Sequence, residues 1–174
     1  MFRRLCETTA IGHSIFFGPA GCGKTTIARV AARTMESAFY EFNATSFKVE
    51  ELRKVLESHK NSLFKPLIFI DEIHRFSKSQ QDSLLCAVVK GTITLIGATT
   101  ENPSFEVINA LLSRSQVYVL KPLEVEELET IIQRAIDTDV LFKNKKIILQ
   151  EKEALLILSG GDARKLLNIL EIIA

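Results

Sequence analysis

Near the start of the chain, Gly18-Pro-Ala-Gly-Cys-Gly-Lys-Thr25 constrains the fold more than any other stretch. It follows the apolar run Ser14–Phe17 and leads into Thr25–Thr34, which reads as a helix. The spacing is G-x-x-x-x-G-K-[ST] in full. Glycines at these positions let consecutive backbone N–H groups turn inward around phosphate oxygens. The helix that follows points the positive end of its dipole at the same place. Gly18, Pro19, Ala20, Gly21, Cys22, Gly23, Lys24 and Thr25, with Thr26 beside them, are therefore candidate nucleotide-binding residues. Lys24 is expected to reach the β- and γ-phosphates of ATP, and Thr25 to ligate Mg²⁺ through its hydroxyl.

A strand–loop–helix unit of this kind belongs in a parallel sheet, and the next stretches agree. Short apolar runs, Phe39–Asn43, Leu67–Ile70, Ile93–Ala98 and Val117–Leu120, are rich in Ile, Phe and Val, as strands buried on both faces are. Amphipathic stretches lie between them: Val49–His59, Ser79–Val89 and a shorter Val107–Ser113. The expected fold is α/β, a five-stranded parallel sheet sandwiched by helices, over residues 1–120. The pattern changes after Lys121-Pro122. Glu124–Leu141, Glu151–Leu158 and Asp162–Ile173 read as helices, with Gly160-Gly161 ending one and Asp162 capping the next. Residues 121–174 are read as a small all-α lid domain.

Leu67-Ile-Phe-Ile-Asp-Glu is an apolar strand that ends in two carboxylates. Open parallel sheets bind ligands at the carboxyl ends of their strands, so Asp71 should emerge beside the phosphate loop and share in holding Mg²⁺. Glu72 is expected to polarise the water that attacks the γ-phosphate.

Composition excludes several other readings. Net charge is +1, so no overall basicity argues for nucleic acid or an anionic membrane. Hydrophobic residues make up 47% and charged residues 25%, as in soluble globular domains. The three cysteines are scattered and form no CxxC pair, which reads as reduced thiols in a cytoplasmic protein, with no zinc site. The N-terminus lacks the apolar core of a signal peptide, and no run is long enough to span a bilayer.

The phosphate loop, Phe69-Ile-Asp-Glu-Ile-His, Ile96-Gly-Ala-Thr-Thr, Leu112-Ser-Arg and Gly161-Asp-Ala-Arg occur in that order, and in this the chain resembles the AAA+ ATPases. Two longer stretches are more specific: Asp71-Glu-Ile-His-Arg-Phe-Ser-Lys-Ser-Gln-Gln-Asp, and the run from Gly91 through Glu101-Asn-Pro-Ser-Phe-Glu to Val107. They resemble the replication-associated recombination protein A family, whose eukaryotic relative is the Werner helicase-interacting ATPase. The resemblance implies further roles. Thr100, with Thr99 as the alternative bearer, matches sensor 1 at the end of the fourth strand. Arg114 matches the arginine finger that acts on a neighbouring subunit's ATP, and Arg164 matches sensor 2 in the lid. His74 and Arg75 match the pattern without an assigned chemistry, and His74 reads as a structural hydrogen-bonding histidine.

The resemblance also implies ATP hydrolysis coupled to replication-fork maintenance, recombination and repair. The implied partners are single-stranded or forked DNA, further copies of the chain and a single-stranded-DNA-binding protein, in the bacterial cytoplasm or nucleoid. Only about a dozen residues precede the first strand, and the family's C-terminal oligomerisation region is missing. The chain is thus expected to be a truncated core with weak nucleotide affinity. Ala20 and Cys22 depart from the usual loop, but both are small and neutral, so phosphate binding should survive. The rival readings are a clamp-loader-like or branch-migration ATPase, a nucleotide-binding scaffold without turnover and, against the charge balance, a plain DNA-binding module.

Overall fold

The structure is a computed structural model, and it describes residues 11–62, 64–139, 142 and 152–173. The chain divides into two compact units. One holds residues up to Gly18 together with Lys24–Val119; the other holds Pro19–Gly23 together with the residues from Leu120 onward.

The first unit is a five-stranded sheet of β1 (Ser14–Phe17), β2 (Phe39–Asn43), β3 (Leu67–Asp71), β4 (Thr94–Thr99) and β5 (Gln116–Val119) in the order β2-β3-β4-β1-β5. Every pairing is parallel, as the apolar runs require. β3 and β4 are central, and Leu67–Ile70 and Thr94–Thr99 are buried throughout. Alternate residues serve opposite faces. Ile68, Ile70 and Leu95 join a core with Leu52 and Val55 of α2 (Val49–Ser58) and Leu84 of α3 (Lys78–Val89). Each side chain fully buried there contributes about 2 kcal/mol over leaving it in water. Helix α1 (Lys24–Thr34) turns Ala28, Ala31 and Ala32 inward, so its backbone lies close to the sheet.

Three expected strands shift by a residue, β3 at one end and the fourth and fifth at both. β3 continues to Asp71, β4 runs Thr94–Thr99, and β5 starts at Gln116, whose amide donates to the His13 carbonyl. After a separate short turn, α4 (Pro103–Glu106), the helix expected over Val107–Ser113 forms only as α5 (Asn109–Leu112), because Val107 and Ile108 between them are extended. Buried Gln81 imposes the break. Its Oε1 accepts from the Ile108 amide at 2.9 Å, while its Nε2 donates to the carbonyls of Phe76 and Glu106. Ser77 and Gln80 form a capping box that starts α3. Much of the Ser-Lys-Ser-Gln-Gln stretch is thus structural.

In the second unit, α6 (Val125–Thr138), α7 (Lys152–Ser159) and α8 (Ala163–Ile173) gather Leu128, Ile132, Phe142, Leu155, Leu166 and Leu170 into a core. The helix expected to reach Leu141 ends at Thr138, where Asp139 turns extended; Val140 and Leu141 lie outside the described residues. Gly160 and Gly161 both take positive φ. Asp162 Oδ1 caps α8 by accepting from the amides of Arg164 at 2.8 Å and Lys165 at 3.1 Å. No helix among the described residues is long and apolar enough to cross a membrane.

His13 makes the sheet pH-sensitive. Its Nδ1 accepts from the Leu95 amide at 3.1 Å, which requires an unprotonated nitrogen. Burial first, and the nearby Lys65 ammonium second, hold its pKa below the usual 6.5. The unfolded chain therefore takes up this proton more readily than the folded one. The stabilisation is fully present above pH 6.5 and is lost as pH falls from there through the lowered folded value. In urea titrations the unfolding midpoint should drop on acidification. His13→Gln keeps an acceptor for Leu95 but cannot titrate, so it should drop less. Equal pH dependence in both proteins would remove His13 as the source.

Candidate functional site

The strand order brings together what the sequence holds far apart. β4 lies between β1 and β3, so the carboxyl ends of all three strands are neighbours. Phe17 pairs with Thr99, the Gly18 amide donates to the Thr99 carbonyl at 3.1 Å, and Ile70 pairs with Gly97 one step before the acidic pair. Asp71 thus stands two strand spacings, about 10 Å, from the end of β1. Lys24 and Thr25 open α1 on one side of this row; Asp71 and Glu72 stand on the other.

The residues fit a polyphosphate with a hard divalent cation. Gly23 sits at φ +93 with no atom within 4 Å of where a Cβ would lie, so the loop is open there. Having no side chain, Gly23 cannot cap α1 with one. Lys24 is buried, and its Nζ donates to the Gly18 carbonyl at 2.7 Å. The ammonium therefore lies at the carboxyl end of β1. A threonine hydroxyl and a carboxylate, Thr25 and Asp71, are the oxygen donors that Mg²⁺ prefers. Pro19 and Ala20 are exposed and Cys22 is buried.

Within the second unit, Gly21 lies against the start of α8. Its carbonyl accepts from the Ala163 amide at 3.3 Å, and a Cβ at Gly21 would fall 1.8 Å from Asp162 Oδ1. Only glycine tolerates both that approach and the local φ of +70. Arg164 follows in the first turn of α8 with its side chain exposed.

Glu72 departs from ordinary backbone. It sits in the left-handed region at φ 53 and ψ 49, which costs a non-glycine residue about 1–2 kcal/mol. Ile73 fixes it there. That side chain is fully buried, packed so closely over Gly97 that a Cβ on the glycine would meet its Cδ1 at 2.9 Å. The 3₁₀ turn Ile73–Arg75 then curls back on the carboxylate. Glu72 Oε2 receives His74 Nε2 at 3.2 Å and Arg75 Nε at 3.4 Å. On its other side, His74 Nδ1 lies 3.0 Å from Thr99 Oγ1.

Thr99, the last residue of β4, and Thr100 after it differ. Thr99 is fully buried, and its hydroxyl also contacts the Glu101 amide at 3.0 Å and the Glu101 carbonyl at 3.1 Å. Thr100 is only half-buried, and its side chain makes no hydrogen bond to another described residue. Thr99 is thus taken up by contacts to His74 and Glu101. His74 is thus a hydrogen-bonding histidine as expected, but its partners Thr99 and Glu72 come together only when the turn folds back. Arg114 is exposed, and its Nη1 donates to the Ala110 carbonyl at 2.9 Å and to Ser113 Oγ at 3.1 Å.

Comparison with known proteins agrees with this geometry. The profile of the ATPase family associated with various cellular activities (AAA) matches residues 14–123. The chain is 40% identical to the replication-associated recombination protein A of Haemophilus influenzae over 98% of its own length and 40% of that protein's. It is also 40% identical to ATPase WRNIP1 of Dictyostelium discoideum, over 97% of this chain and 20% of that one. The chain thus spans less than half the length of these curated relatives. Among solved structures it is similar to the Thermotoga maritima RuvB Holliday junction branch migration motor, with a TM-score of 0.77 and 26% identity over 98% of this chain and 57% of that one.

Proposed function

The chain belongs to the AAA family of ATPases, and from that premise we propose that it binds Mg-ATP at Gly18–Thr25 and hydrolyses it in the service of DNA replication, recombination and repair. The adjacency of the carboxyl ends of β1, β4 and β3 carries the reading, since it supports one phosphate chain meeting Lys24, Thr100 and the acidic pair together. Lys24 neutralises the β- and γ-phosphates, and Glu72 orients the attacking water through its carboxylate. Thr25 and Asp71 hold Mg²⁺, which when bound supplies further charge neutralisation on the phosphate oxygens. Thr100 senses the γ-phosphate from β4, and Arg164 does so from the helical lid, residues 121–174. Arg114 completes the site of a neighbouring copy, for which an exposed, always-charged, forked guanidinium is suited.

The role in replication and recombination rests on the names of the relatives, and the partners, namely DNA, further copies of the chain and a single-stranded-DNA-binding protein in the bacterial cytoplasm, rest on the family resemblance. Identity of 40% to the recombination proteins against 26% to RuvB favours the former over a branch-migration motor. The test is the ATPase rate per subunit against protein concentration, with and without gapped DNA. The rate should climb with both, and Arg114→Ala should flatten the concentration dependence while leaving ATP affinity unchanged. A rate per subunit independent of concentration would refute the role of Arg114. Indifference to every DNA structure would refute the coupling.

A further inference from the structure

Glu72 is held at two points besides its own backbone. Arg75 is 64% exposed, so water screens its contact and the pair holds the carboxylate weakly. His74 is only 12% exposed and reaches Glu72 with one ring nitrogen and Thr99 with the other. A carboxylate only accepts, so Nε2 carries the proton facing Glu72. Nδ1 lies 3.0 Å from the Thr99 hydroxyl, which accepts from the Glu101 amide and has the Glu101 carbonyl at 3.1 Å as a second acceptor for its one proton. The contacts Glu72–His74–Thr99 thus cross from the end of β3 to the end of β4.

We propose that His74 is a positioning residue for Glu72, aiming its carboxylate from the end of β4 by way of Thr99. The inference rests on the reading of Glu72 as the group that orients water. The physical need is plain. Glu72 follows the last residue of β3, and its side chain is 31% exposed, so without a tie it would sample several rotamers. A base oriented by a third group acts from one geometry. Loss of that orientation costs rate while leaving phosphate binding alone. Since Thr100 is next in sequence to Thr99, the same tie links the water-orienting group to the strand end that faces the γ-phosphate.

The experiment combines turnover at saturating ATP, ATP affinity by calorimetry and ¹⁵N-histidine NMR on the full chain. His74→Ala and Thr99→Val should each lower kcat by about ten- to a hundredfold with unchanged ATP affinity. Together they should lose no more than the worse single change, because they break one chain. Thr99→Ser restores the hydroxyl and should restore kcat, which a general packing defect would not allow. By NMR, which needs no turnover, His74 should be the Nε2–H tautomer. Its Nδ1 resonance should move in Thr99→Val and stay in Thr99→Ser. Wild-type kcat in both His74→Ala and Thr99→Val beside an inactive Glu72→Gln would overturn this inference alone. So would an Nδ1–H tautomer, or an Nδ1 resonance indifferent to Thr99→Val. Wild-type kcat in Glu72→Gln would instead overturn the reading on which it rests.

Discussion

Lys24→Ala should lower ATP affinity by at least a hundredfold. Lys24 is buried and lies against the Gly18 carbonyl, so its ammonium meets phosphate in a place poor in water. Removing one partner of such a desolvated, hydrogen-bonded charge pair costs about 3–5 kcal/mol, and each 1.4 kcal/mol is about tenfold in affinity. The effect on folding should be much smaller. The Gly18 carbonyl loses one donor, worth about 1 kcal/mol. Lys24→Met keeps most of the apolar stem and separates charge from packing. It should bind ATP as poorly as the alanine variant while melting closer to wild type. Calorimetric affinity within a few-fold of wild type in either variant would place the phosphate site elsewhere.

Glu72→Gln should bind ATP with wild-type affinity and lose turnover by about 10²–10⁴-fold, the range that a positioned general base supplies. Glutamine keeps the side-chain length and one oxygen to accept from His74 and Arg75, so the turn should hold its shape. Glu72→Gly separates the chemistry from the backbone. It relieves about 1–2 kcal/mol of left-handed strain, offset by about 0.5–1 kcal/mol from the freer unfolded chain. Stability should change little while turnover disappears. Phosphate release near the wild-type rate from the glutamine variant would move the water-orienting role to another residue. A strained glutamate where glycine would be cheaper argues that the carboxylate is kept for its chemistry.

How far the sequence was legible follows from the range of the interactions involved. The phosphate loop could be read because its constraints are local: a strand, glycines free to take positive φ, then a helix start, all within Ser14–Thr34. The strands could be read because burial on both faces demands unbroken apolar runs, and their ends moved by only a residue. Asp162 as a cap and Gly160-Gly161 as a helix stop were legible for the same reason, since each acts on residues two to four positions away. The helix expected over Val107–Ser113 starts only at Asn109, because the residue that bonds the extended Ile108, Gln81, is 27 positions away in the chain.

The sequence by itself therefore determined that this chain would build a parallel sheet, carry a phosphate loop on its first strand and end its third strand in two carboxylates. Each of those follows from side-chain periodicity or backbone freedom within a few residues. Only the tertiary structure decided the order β2-β3-β4-β1-β5, which puts Thr99 between the loop and the acidic pair. It alone decided that Ile73 seats over Gly97 and that Glu72 beside it takes left-handed backbone. It also turned His74 from a residue without an assigned chemistry into the link between Glu72 and Thr99, 25 positions further on. Such contacts depend on which strands become neighbours, and that is settled by packing the whole core at once.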